Sequence, residues 1–398
     1  MNPAILHSDV QAFIEANLNT DTTRILLSKS PFSNVTSGEL AEQIDSKKRC
    51  EKKLPIWFST PGIYYPPKIS IEQASSEVTA KFKATLVKGK TLLDLTGGFG
   101  VDSYYFAKAG MQVWHAELNS ELSAIAHHNA KILDVPAITF YQGNGLELLQ
   151  KGQFFDTIFI DPSRRVNRQK VFQLKDCEPN IPQHLELLLK ACSCLIIKTS
   201  PLLDLQAGLK ELTNVKRIYI VSVKNDCKEL LWILEPGNNS FEPEVICHTF
   251  GDEDHDYRFR ASEERSLMLK EFSEPLKFLY EPDVALLKAG AFKLISKDFN
   301  ILKLHTNSHL YTSVTLNAEF PGRKFMVEKW GDYKSFMKQN KLKQANVITR
   351  NFPLSPSEVK SRHHIADGSE QFLIFTTGPL GQLLAIQAQK VEKQKRAP

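Results

Sequence analysis

The longest apolar runs of the chain stay under about ten residues, far short of the roughly 20 that span a bilayer, so no transmembrane segment is expected. The opening Met1-Asn-Pro-Ala-Ile-Leu-His-Ser-Asp9 lacks a basic stretch followed by an apolar core. No signal peptide is read there, and the cytoplasm is the expected location. Cysteine is sparse: the six residues at 50, 177, 192, 194, 227 and 247 form no C-x-x-C pair and read as small buried thiols of a reducing compartment. The pairs His127-His128 and His363-His364 are adjacent and so point to different faces of a helix or strand; no metal site is expected. The G-x-G-x-x-G fingerprint is missing too, which argues against a dinucleotide dehydrogenase. Internal repeats and low-complexity segments are absent. What remains is 42% hydrophobic and 24% charged over 398 residues, ordinary for soluble globular protein and long enough for more than one domain.

The stretch Leu92-Leu-Asp-Leu-Thr-Gly-Gly-Phe-Gly-Val-Asp102 is the most informative feature present. An apolar run ends in Asp94, glycines follow, and Ser103-Tyr-Tyr-Phe-Ala-Lys-Ala-Gly110 reads as a helix with a glycine stop. Gly97, Gly98 and Gly100 let the backbone approach a ligand that a Cβ would block, and the helix start offers free N–H groups. Three signals follow in order. Met111-Gln-Val-Trp-His-Ala-Glu117 is a second apolar run ending in acid, and Glu117 lies 23 residues after Asp94, where doubly wound folds place a ribose-binding carboxylate. Ile138-Thr-Phe-Tyr-Gln-Gly-Asn144 is a third short strand with a polar end. Phe155-Asp-Thr-Ile-Phe-Ile-Asp161 is a buried strand that runs into Pro162, Ser163, Arg164 and Arg165.

Asp94, Glu117, Asn144 and Asp161 at successive strand ends resemble class I S-adenosylmethionine-dependent methyltransferases. The Thr-Gly-Gly-Phe-Gly-Val-Asp loop, with Thr96 in place of a first glycine, is similar to that of a bacterial guanine-N2 methyltransferase of small-subunit ribosomal RNA. The resemblance implies that Asp94 takes the cofactor's methionine amino group, directly or through water. It implies that Thr96, Gly97, Gly98 and Gly100 line the cofactor, that Glu117 takes the ribose hydroxyls and that Asn144 meets the adenine edge. A plain turn residue between Gly143 and Gly145 is the competing reading of Asn144. Asp161 and Pro162 would form the catalytic loop, Asp161 facing the methyl group and accepting a hydrogen bond from an exocyclic amine. Amine methyltransferases usually carry an aromatic residue after Pro-Pro; Ser163 and Arg164 stand here instead. Ser163, Arg164, Arg165 and Arg168 are read as substrate contacts, against the alternative of a salt-bridged loop. Lys198, at the end of a fifth strand near the same crevice, reads equally as a snorkelling surface lysine.

The fold expected is α/β, a class I (Rossmann-like) methyltransferase sheet with an N-terminal helical segment and C-terminal α+β ferredoxin-like and THUMP-like domains. Residues 1–74 read as helical, with Asp21 near one helix start and Thr36-x-x-Glu39 as a capping box at another. Gln73, Ser75 and Ser76 are candidates to close over the cofactor, or plain helix caps. From 75 to 238 strands alternate with helices: strands at 91–95, 111–116, 137–141, 156–160, 194–198, 216–223 and 229–235, helices at 102–109, 120–133, 183–192 and 202–212. Glu281-Pro-Asp-Val-Ala-Leu-Leu-Lys-Ala-Gly-Ala291 looks like the ferredoxin-like domain, placed at 239–320, of a bacterial methyltransferase family that ends in a THUMP-like domain. Thr349-Arg-Asn-Phe-Pro-Leu-Ser-Pro356, Ile365-Ala-Asp-Gly368 and Phe372-Leu-Ile-Phe-Thr-Thr377 look like that terminal domain, placed at 321–392.

This resemblance implies an enzyme that methylates structured RNA, tRNA or rRNA, at an exocyclic amine such as guanine N2, with no membrane partner and as a monomer or weak dimer. Charge agrees: from Phe320 onward 14 Lys and Arg face 6 Asp and Glu, while the whole chain is only +5. Two other readings stay open, a protein or small-molecule methyltransferase with structural C-terminal domains and a non-catalytic RNA-binding protein.

Overall fold

The computed structural model describes residues 1–391 except 136, 164, 167, 168, 171, 172, 239–241, 252 and 270, and at 165, 166, 169 and 170 it describes the backbone alone. The chain forms two compact units, Met1–Lys216 with Leu231–Ser240, and Arg217–Leu230 with Phe241–Pro398.

The first unit begins with helices α1 (Ser8–Ala16), α2 (Thr22–Leu27), α3 (Ser37–Lys53), α4 (Pro55–Ser59), α5 (Lys68–Gln73) and α6 (Glu77–Ala84). Asp21 caps α2, and Thr36 with Glu39 closes the capping box that starts α3. The charged stretch 47–53 is the end of α3. These helices rest on the strand–helix layer that follows: Asn129 accepts from the Tyr64 amide at 2.9 Å and donates to its carbonyl at 2.8 Å, so a buried side chain replaces a missing backbone partner.

The layer itself runs β1 (Thr91–Asp94), α7 (Val101–Lys108), β2 (Gln112–Glu117), α8 (Ser120–Ile132), β3 (Ile138–Gln142), α9 (Leu146–Gln150) and β4 (Phe155–Ile160). Two-residue strands β5 (Arg165–Val166) and β6 (Gln169–Lys170) pair with each other, and α10 (Ile181–Lys190), β7 (Cys192–Thr199) and α11 (Leu205–Glu211) complete it. Strands lie in the order β7-β4-β1-β2-β3, every neighbouring pair parallel. Chain order reverses between β1 and β4, so the crevice beyond their C-terminal ends is where such a sheet binds ligands. All five strands and α7, α8, α10 and α11 fall where the sequence pattern puts them. Helix α9 is additional; Gly145 precedes it, and a Cβ there would lie 2.9 Å from the Ala116 side chain.

Strands β8 (Val215–Val223) and β9 (Asp226–Leu234) are joined by Lys224 and Asn225, with φ of 52° and 61°. Two left-handed residues make the tight turn that suits a twisted hairpin. In the second unit β10 (Glu244–Phe250) runs parallel to β8 and antiparallel to β11 (His255–Phe259). After α12 (Ala261–Ser266) come β12 (Phe278–Pro282), α13 (Val284–Ala289), α14 (Leu294–Asp298), β13 (Leu302–His305), β14 (Ser308–Ser313), β15 (Gly322–Asp332), α15 (Tyr333–Gln339), β16 (Asn346–Arg350), α16 (Pro356–His363), β17 (Gln371–Thr377) and β18 (Leu383–Lys390).

Seven of these strands form one sheet in the order β13-β14-β12-β15-β18-β17-β16. β12 pairs with β15 from Phe278↔Met326 to Pro282↔Gly322, so the ferredoxin-like and THUMP-like segments share a sheet. The sheet curls until β14 meets the far edge: Ser308 donates to the Thr377 carbonyl at 2.8 Å and accepts from Thr376 at 3.0 Å. Leu279, Leu310, Phe325, Ile374 and Ile386 fill the concave side, all fully buried. Asp283 caps α13 and accepts from Ser222 at 2.5 Å, which ties that helix to β8.

Candidate active site

Four strand ends meet at the crevice. Asp94 ends β1, Glu117 ends β2, Asp161 follows β4 and Lys198 lies at the end of β7.

Asp94 is 1% exposed. Ser103, in the first turn of α7, donates to it at 2.6 Å, and the Thr96 amide lies at 3.4 Å. Burial pushes the Asp94 carboxyl from its ordinary 3.8 up to about 8; the Ser103 bond opposes this, and the nearby charges of Asp102 and Asp161 add to it. The neighbouring acids each have a cation. Lys83, on α6, forms an ion pair with Asp102 at 3.1 Å, and Ser75 bridges the two, donating to Asp102 at 2.7 Å and accepting from Lys83 at 2.7 Å. Lys198 forms an ion pair with Asp161. Among the described residues no ion pair reaches Asp94.

The glycine loop is shaped by what lies beneath it. His115 of β2 is fully buried, and burial lowers its imidazole from 6.5 to about 4, so it is neutral. A Cβ on Gly97 would sit 2.3 Å from that ring, which explains the glycine. Gly98 and Gly100 have φ of 56° and 84°, a conformation that side chains resist, and Gly100 caps α7. Glu117 reaches over the loop: one carboxylate oxygen accepts from the Gly98 amide at 2.9 Å, the other from the Asn119 amide at 2.8 Å. Each oxygen keeps a lone pair for a ligand.

Thr96 is placed by its hydroxyl, which accepts from the Asp161 amide at 2.7 Å and joins the β1 loop to the β4 loop. Pro162 is buried and Ser163 exposed. The Ser163 backbone exchanges two hydrogen bonds with Glu178, at 2.7 and 3.0 Å. Arg164 and Arg168, and the side chain of Arg165, lie outside the described residues. Asn144 accepts from the Leu146 amide at 3.1 Å, an Asx turn that opens α9, so the turn role is realised. Ser76 caps α6, Gln73 ends α5 exposed, and Ser75 is held in the buried Lys83–Asp102 cluster. The sequence reading missed Lys83, Asp102, Ser103 and His115. The last two had signals: Ser103 follows the glycine loop at the helix start, and His115 stands two residues before Glu117 on the same face.

A buried carboxyl with no cation among the described residues, a bare glycine loop and a carboxylate with spare lone pairs fit a ligand that carries an ammonium group and vicinal hydroxyls. Asp161 lies one strand away, on the open side. No helix among the described residues is long and apolar enough to cross a membrane.

Residues 278–321 match a ferredoxin-like domain family and residues 322–390 a THUMP domain-like family. The crystal structure of a candidate methyltransferase from Porphyromonas gingivalis W83 is 33% identical, with 98% of each chain covered and a TM-score of 0.87. The 23S rRNA (uracil(747)-C(5))-methyltransferase of Pyrococcus abyssi is 30% identical over 88 residues, 22% of this chain and 21% of its own length. That of Pyrococcus horikoshii is 35% identical over 78 residues, 20% and 18%. The chain thus spans about a fifth of the length of these curated relatives.

Proposed function

This chain belongs to the family of class I S-adenosylmethionine-dependent methyltransferases that carry C-terminal ferredoxin-like and THUMP-like domains, and on that footing we propose that it methylates an exocyclic amine of a base in structured RNA, guanine N2 foremost. One observation carries the reading: Asp161 stands at the open end of β4 beside a cofactor-shaped set made of Asp94, the glycine loop and Glu117. Asp94 holds the methionine ammonium; Thr96, Gly97, Gly98 and Gly100 leave room for the cofactor; Glu117 takes the ribose hydroxyls and Asn144 lies toward the adenine. When bound, the cofactor supplies an electrophilic methyl on a sulfonium. Asp161 orients the acceptor amine and takes its proton, Pro162 fixes the loop, and Ser163, Arg164, Arg165 and Arg168 meet the RNA.

The archaeal relatives act on uracil C5, a carbon that becomes nucleophilic only after a thiolate or similar group adds beside it. Burial pushes the thiols of Cys50 and Cys192 up to about 12 and that of Cys227 to about 11, and Cys247 rises as well. Cys177, nearest in sequence to the Asp161 loop, is buried and donates to the Gln173 carbonyl. These thiols support a nitrogen acceptor over C5. The basic final fifth of the chain supports RNA as the partner. Mass spectrometry of RNA nucleosides from cells lacking the gene tests this: one N-methylated nucleoside disappears if the reading holds, and loss of 5-methyluridine alone refutes the amine assignment.

A further inference from the structure

We propose that Lys198 is a positioning residue for methyl transfer: its ammonium holds the Asp161 carboxylate in the orientation that receives the acceptor amine. The inference rests on the function proposed above, and the geometry supports it from three sides. Asp161 is gripped twice, its amide by the Thr96 hydroxyl at 2.7 Å and its carboxylate by Lys198. Lys198 is itself set by the end of β7. The next residue, Thr199, is buried and accepts from the indole of Trp232 at 2.9 Å, and that indole packs where a Cβ on Gly208 would collide at 2.4 Å. The ammonium is also sheltered, with its side chain 13% exposed against 34% for Asp161, so the carboxylate is the more open partner.

Charge movement explains why a cation belongs there. As the new N–C bond forms, the C–S bond breaks with its electron pair going to sulfur. Positive charge moves to the acceptor nitrogen until its proton passes to the Asp161 carboxylate and on to water. A lysine near that nitrogen would oppose the step unless it were spent on the carboxylate. Without the lysine, the Asp161 carboxylate would keep the nearby Asp94 carboxyl as a neighbour with no cation among the described residues to offset it, and would turn toward solvent. The Lys83–Asp102 pair, also near Asp94, shows the same device of a lysine held on a carboxylate.

The test uses the full chain, S-adenosylmethionine labelled in its methyl group and bulk RNA from cells lacking the gene. Lys198→Met is expected to lower kcat by about a hundredfold, the lower end of what a proton-accepting group contributes, with KM for RNA and the calorimetric cofactor Kd changed by no more than about twofold. Lys198→Arg is expected to restore kcat to within about tenfold of wild type, since a second cation reaches the same carboxylate. Unchanged kcat in Lys198→Met overturns the proposal. So does loss of cofactor binding in a folded Lys198→Met protein, which would place the lysine in the cofactor site. A wild type that binds cofactor but leaves all RNA unlabelled removes the RNA reading itself, and the role of Lys198 with it.

Discussion

At Asp94 the requirements of binding and of folding conflict. The folded chain retains there a proton that the unfolded chain releases above an ordinary pKa of 3.8, and loses it only at about 8. The folded state therefore binds more protons across that window, and stability falls as pH rises through it. Asp94→Asn is expected to melt above wild type at pH 8, the difference shrinking toward pH 4, in thermal scans of the cofactor-free proteins. Binding shows the reverse face of the same group. An ammonium ligand requires the ionised carboxylate, so below about pH 7.5, where a free α-amino group is still protonated, cofactor affinity rises by up to roughly tenfold per pH unit. One proton is released per cofactor bound, readable by calorimetry in buffers of different ionisation enthalpy; a pH-independent affinity would remove the ammonium from Asp94. Glu117→Ala is expected to weaken cofactor binding by about 1.5–3 kcal/mol for each charge-assisted ribose hydrogen bond lost. Unchanged calorimetric affinity there would contradict the ribose assignment. Both acids were legible from their places at strand ends, because a run of apolar residues stopped by a carboxylate is a local pattern. The Ser75–Lys83–Asp102 cluster was not, because its members meet only when α6 packs on α7.

The strand, loop and helix that carry the proposed cofactor residues meet at one close approach, Gly97 against His115. Gly97→Ala must push a Cβ into a buried ring, a clash costing about 1–3 kcal/mol, and denaturant unfolding measures it. His115→Ala in the same chain frees the space and is expected to recover part of that loss; strict additivity of the two changes would mean they do not touch. The glycine itself was readable, its reason was not, since the ring arrives from the neighbouring strand. Asn144 shows the opposite case. Its two glycine neighbours already offered a turn, and the Asx bond to Leu146 supplies one, so an adenine contact there has to share a side chain engaged in the turn before α9.

Over the whole molecule, local signals carried the parallel sheet and the helices that cover it, while long-range pairing settled the C-terminal half. The partner of β12, β15, lies beyond the boundary between the two family matches. Where the strands join, Glu281 is 2% exposed and forms ion pairs with both Arg323 and Arg350. Arg323→Met leaves that carboxylate with one partner and is expected to cost about 3 kcal/mol in unfolding free energy. A change within about 0.5 kcal/mol would mean that the pair lies idle. The central claim, a methyltransferase that acts on RNA through Asp161, is tested most directly by incubating the purified full chain with methyl-labelled S-adenosylmethionine and RNA from cells lacking the gene. Wild type is predicted to label RNA at one nucleoside, and Asp161→Ala to bind cofactor normally yet transfer no label; label found in protein, or an Asp161→Ala variant that labels RNA at the wild-type rate, would contradict the account.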